Sequence, residues 1–74
     1  MEYEIIREIF NQCSGNQMRD VFIEEKEVAD PEGYVRSLLK GKQVIIEKEV
    51  EPSGVIVFNC DIAGLRQRFT FTEI

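Results

Sequence analysis

Seventy-four residues bound the chain to one domain, 1–74, which hides only about 60–65% of the surface its unfolded form exposes, so its core is thin. At 43% hydrophobic and 31% charged it is too apolar for a disordered chain and too charged for a membrane protein, and no apolar run approaches the about 20 residues of a spanning helix. Nine basic against fourteen acidic residues give a net charge of −5, and the absence of histidine removes the commonest general base and any Ser-His or Cys-His nucleophile pair.

The chain opens on Met1-Glu2-Tyr3-Glu4, acidic where a signal peptide is basic and then apolar, so the expected location is the cytoplasm. Residues 2–10 fit two readings. Ile5, Ile6, Ile9, Phe10 and Cys13 make a helical stripe, with Gly15 as a stop. Tyr3, Ile5 and Ile9 also share one face of a strand, and isoleucine with aromatics favours extended backbone. In the second case Ser14-Gly15-Asn16 closes a hairpin with a strand at 19–28, which carries Val21 and Ile23 on one face.

A helix is predicted over 31–40. Asp30 is a good N-cap, Pro31 suits the first turn, and Glu32 favours the positive end of the dipole. Tyr34, Val35, Leu38 and Leu39 form one apolar stripe, and Lys40-Gly41 ends it. Gly33 weakens the helix by up to about 1 kcal/mol relative to alanine. If the stripe packs on Ile56, Phe58, Phe69 and Phe71, Leu38→Ala is expected to cost about 2–4 kcal/mol.

Beyond Gly41 the period becomes two. A strand is predicted over 42–50, where Val44 and Ile46 alternate with Ile45, Glu47 and Glu49. Pro52-Ser53-Gly54 is a turn signal, and a strand follows with Ile56, Phe58, Cys60 and Ile62 on one face. Asp61 to Gly64 holds another turn. The last strand sets Leu65, Gln67, Phe69 and Phe71 against Arg66, Arg68, Thr70 and Thr72. The fold class is α+β: a small antiparallel sheet in the order β-β-α-β-β-β, with one helix packed on one face.

The charge is unevenly placed. Asp20, Glu24, Glu25, Glu27, Asp30 and Glu32, opposed only by Lys26, carry the whole imbalance. Such a field disfavours phosphate backbones, so direct nucleic-acid binding is not expected. The acids lack the alternate ligand positions and central glycine of a calcium loop. They suit a solvated strand edge or the docking of a basic protein. Arg66 and Arg68 share one side of the last strand, with Arg36 and Lys40 on the helix. They make a small anion patch or, more plainly, pair with Glu47 and Glu49. Cys13 and Cys60 form no metal-binding spacing and are expected to be free thiols. Cys13-Ser14-Gly15-Asn16 reads as a polar turn rather than a reactive thiol, because no cation or histidine flanks it.

No catalytic, cofactor or metal residues are indicated. The expected function is a protein-interaction or regulatory accessory module, the alternative an acidic nucleic-acid mimic that occupies a basic protein surface, and an enzyme a distant third. If the helix covers one face, the alternation places Phe22, Ile45, Val55 and Val57 on the other, flanked by Glu24, Glu25 and Glu27. The expected partner is a second copy or another protein docked on that patch, with no membrane involved.

Overall fold

The structure is a computed structural model and describes residues 1–10, 19–39 and 44–74. Along the chain run β1 (Glu2–Phe10), β2 (Arg19–Glu27), α1 (Pro31–Leu38), β3 (Val44–Val50), β4 (Ile56–Ile62) and β5 (Leu65–Glu73). Residues 2–10 are thus a strand, not a helix. The five strands form one antiparallel sheet in the spatial order β2-β1-β5-β4-β3. Order across the sheet differs from order along the chain, because the last strand inserts beside the first. Both neighbours of β5 are long partners: β1 pairs Ile5 with Phe71 and Arg7 with Phe69, and β4 pairs Phe58 with Phe69.

The connection from β2 to β3 joins the two edges and carries α1 across one face of the sheet. Burial there follows the period-two pattern. Tyr3 and Ile5 of β1, Phe58 and Cys60 of β4, and Phe69 and Phe71 of β5 are buried together with Val28, Val35 and Leu39. Phe71 sits at the middle of this cluster. Its ring makes edge-on contacts with Tyr3 at 5.6 Å, Phe58 at 5.6 Å and Tyr34 at 6.1 Å between centroids.

The helix departs from the predicted stripe at one position. Val35 and Leu39 are buried, but Leu38 is 42% exposed, so the large cost expected of Leu38→Ala does not apply. Residues 35 and 39 are one turn apart and point at the sheet, and Leu38 lies toward the side of the helix that overlooks β2. The helix ends at Leu38, with the Leu39 N–H still donating to the Val35 carbonyl at 3.1 Å. The Lys40-Gly41 stop lies outside the described residues, as do positions 42 and 43 of the predicted third strand. Asp30 holds the N-cap position without a side-chain cap hydrogen bond. Its carboxylate instead lies over Gly33, where a Cβ would come within 2.7 Å of Oδ2. Glycine there leaves room for that carboxylate.

Both predicted turns of the meander form. The Gly54 N–H donates to the Glu51 carbonyl at 2.9 Å, closing the turn that holds Pro52. Between β4 and β5 the two linking residues, Ala63 and Gly64, both have positive φ, 50° and 90°. Positive φ at both positions is the signature of a type I′ turn, whose twist matches that of the strands. Asp61 Oδ1 accepts from the Gly64 N–H at 2.9 Å and holds the turn closed.

Candidate functional site

β2 is an edge strand, and all nine of its residues are exposed. The backbone shows which groups are free. The Val28 N–H donates to the Met1 carbonyl at 2.9 Å, so Met1 opposite Val28 is a hydrogen-bonded pair. Such pairs recur at every second residue of an antiparallel ladder. Given the register Glu2 to Glu27 through Phe10 to Arg19, Asp20, Phe22, Glu24 and Lys26 turn their backbone groups toward β1. Arg19, Val21, Ile23, Glu25 and Glu27 turn theirs away, to the open edge. At the middle of that edge stand three consecutive apolar residues, Val21, Phe22 and Ile23, exposed by 45%, 55% and 66%. The opposite edge, β3, has Glu47, Lys48 and Glu49 along its length. Charges in the middle of a strand are a usual defence against strand addition, and apolar residues there are the reverse.

Beside the β2 edge, on the helix face, lies an open groove of about 680 Å³ walled by Ile9, Phe22, Leu38 and Phe69. Arg7 lies in it. Its guanidinium lies over the Phe69 ring, 5.2 Å from the centroid, and donates from Nε and Nη2 to Gln67 Oε1 at 3.1 and 3.0 Å. A guanidinium has five N–H donors, so this grip fixes its plane and leaves donors over for an acceptor. Across the groove the Tyr34 hydroxyl donates to Glu24 Oε1 at 2.6 Å. That bond, then burial, then the Glu24 charge push the phenol up to about 12, against a smaller opposing pull from Arg7. Tyr34 therefore stays a donor at neutral pH. Lys26 stacks on the same ring at 5.2 Å.

Comparison with protein-family models, with curated protein sequences and with solved structures finds no match. Geometry and charge carry the functional reading.

On the face away from the helix, Glu8 is buried although charged. Arg68 grips it with both arms, Nε to Oε1 at 3.0 Å and Nη2 to Oε2 at 3.3 Å, and Arg19 Nη1 reaches Oε2 at 2.9 Å. Arg68 also lies over the Phe10 ring at 5.4 Å. This corrects the expected pairing of Arg68 with Glu47 and Glu49: β5 neighbours β1 and β4, and β3 lies one strand farther off. The same face brings Glu2 opposite Glu27 and Glu4 opposite Glu25. Like charges directly across a ladder destabilise it, so nothing about folding favours the arrangement.

The proposed four-residue patch is not one surface. Phe22 lies on the helix face, because it pairs with Arg7, which pairs with Phe69 of the core. Val55 precedes β4, outside any strand, and Val57 is buried. Ile45, 63% exposed, stands on the far side of the sheet from β2. Glu24 faces the groove, whereas Glu25 and Glu27 face away from it, so the acids straddle the edge. Cys60 is a free thiol in the core, its pKa raised by burial, with a weak contact from Sγ to the Phe58 carbonyl at 3.9 Å. Cys13 and its loop lie outside the described residues. Among the described residues no three Cys, Asp or Glu side chains are placed to hold a metal ion, and no helix is long and apolar enough to cross a membrane. The sequence marks Ile23 only as part of a strand face and does not point to Arg7. An arginine amid isoleucines, Ile5-Ile6-Arg7-Glu8-Ile9, is the faint signal at Arg7.

Proposed function

We propose that this domain is a protein-interaction module, accessory or regulatory in role, that takes its partner on as an added strand along the free edge of β2. The observation that supports this is the nine-residue edge, open throughout and apolar at its centre. An added strand satisfies the backbone groups of Arg19, Val21, Ile23, Glu25 and Glu27 and covers Ile23 in the same step. No chemical step is asked of the site. The acidic alternative draws on the facing pairs Glu2–Glu27 and Glu4–Glu25, whose mutual repulsion a basic partner surface relieves.

Ile23→Pro separates these readings. The Ile23 N–H points outward, so proline there removes no bond to β1, and prolines are tolerated on edges in this setting. Strand addition past that point is blocked. In affinity capture from the host's lysate, the parent is expected to retain a partner at low and high salt, and Ile23→Pro to lose it while melting close to the parent. Capture that ignores Ile23→Pro and vanishes at high salt contradicts strand docking and favours the acidic surface.

A further inference from the structure

The strand β2 reads Arg19-Asp20-Val21-Phe22-Ile23-Glu24-Glu25-Lys26-Glu27, with Ile23 at its centre. Turned end for end about Ile23, its outer charges complement one another. A second copy laid antiparallel in that register sets Arg19 opposite Glu27 and Asp20 opposite Lys26, and the two-fold symmetry makes each contact twice. No two like charges stand directly opposite. Val21 meets Glu25, Phe22 meets Glu24, and Ile23 meets its own equivalent.

The backbone agrees with the charges. Arg19, Val21, Ile23, Glu25 and Glu27 are the residues whose N–H and C=O face the open edge, and this register pairs odd-numbered residues only with odd ones. All five therefore become hydrogen-bonded, with the pair of Ile23 residues on the symmetry axis. Centring on Phe22 instead also pairs odd with odd, but it drives Asp20 against Glu24 twice, and centring on Glu24 sets Glu25 beside Ile23 and strands Arg19. A two-fold axis normal to the sheet keeps like faces together. Ile6, which lies beside Ile23 on β1, then extends the apolar contact on both sides of the axis. Both helices stand on one face of a continuous ten-stranded sheet. Within one chain Arg19 also touches Glu8 and Lys26 lies over Tyr34, so the pairing shares these cations rather than recruiting idle ones.

We infer that the strand β2 docks onto is the β2 strand of a second copy, in the register centred on Ile23. This rests on the strand-docking reading and narrows its partner. An isologous pairing of this kind closes at two and does not grow into a fibre.

The test has three arms. In sedimentation equilibrium from low to high micromolar concentration, the parent's mass is expected to rise from 8.6 kDa toward twice that value. With Cys13 replaced by serine, Ile23→Cys is expected to cross-link on mild oxidation, since a hydrogen-bonded pair sets its Cα atoms about 5.5 Å apart, within disulfide reach. Phe22→Cys, about 8 Å from its equivalent, and Val21→Cys, about 14 Å away, are not. Lys26→Glu is expected to raise the dimer Kd about tenfold, and adding Asp20→Lys to return it toward the parent value. The two positions lie at opposite ends of one strand, so rescue has to come across the interface. A dimer that cross-links at Phe22 instead of Ile23, or shows no rescue, overturns the register. A parent that stays at 8.6 kDa throughout overturns self-pairing. Strand docking itself is then still decided by the Ile23→Pro capture, which scores a partner of any sequence.

Discussion

Phe71→Ala should cost about 3–5 kcal/mol, the range for emptying an aromatic site in a sealed core. A domain of this size is stable by only about 4–11 kcal/mol in total, so the variant should lose a large share of its stability. The reason is positional. Phe71 is on β5, the central strand, and touches Tyr3 of β1, Phe58 of β4 and Tyr34 of α1. Among the described residues it is the ring in edge contact with both halves of the sheet and with the helix. Phe71→Leu, which keeps most of the volume, should lose about 1–2 kcal/mol. Urea unfolding followed by circular dichroism gives both values. A loss under about 1.5 kcal/mol for Phe71→Ala contradicts the assignment of the core.

Glu8→Ala should cost about 2–3 kcal/mol. The carboxylate is nearly buried, accepts two charge-assisted bonds from Arg68 and forms an ion pair with Arg19, which ties β1 to β5 on one side and to the start of β2 on the other. Both guanidiniums are partly exposed, so water solvates them once the partner is gone, and the cost stays below that of a fully buried broken pair. The loss should appear in the urea midpoint with little change in slope. A change below about 0.5 kcal/mol would show the cluster to be a surface ion pair of ordinary weakness.

Elements with local signals were legible in the sequence. Asp30-Pro31 marked the start of α1, Gly54 and Gly64 marked the hairpins, and the alternation at 56–62 and 65–72 assigned the correct faces to Phe58, Cys60, Phe69 and Phe71. The non-local pairing was not legible. Nothing near Leu65 to Thr72 says that β5 lies against β1, yet that placement gives Arg68 its partner Glu8 and makes β2 an edge. Alternation separates Phe22 from Val21 and Ile23, but which side meets the helix depends on the register with β1, so alternation alone puts Phe22 on the wrong face. Leu38 fits the helical stripe and still stands at the groove, because Val35 in the helix and Leu39 just past its end are the buried residues on the sheet, with Tyr34 beside them. The complementary charges at the two ends of β2 are present in the sequence from Arg19 to Glu27, but they acquire meaning only on a strand with an open side.

Amide hydrogen exchange, followed residue by residue with and without the bound partner strand, tests the docking claim most directly. In the dilute free domain the amides of Phe22 and Glu24 are bonded to β1, whereas those of Val21, Ile23 and Glu25 face solvent. Docking at the β2 edge predicts that Val21, Ile23 and Glu25 become slow on binding while Phe22 and Glu24 change little. Binding that leaves Val21, Ile23 and Glu25 fast, with new protection elsewhere on the sheet, contradicts it.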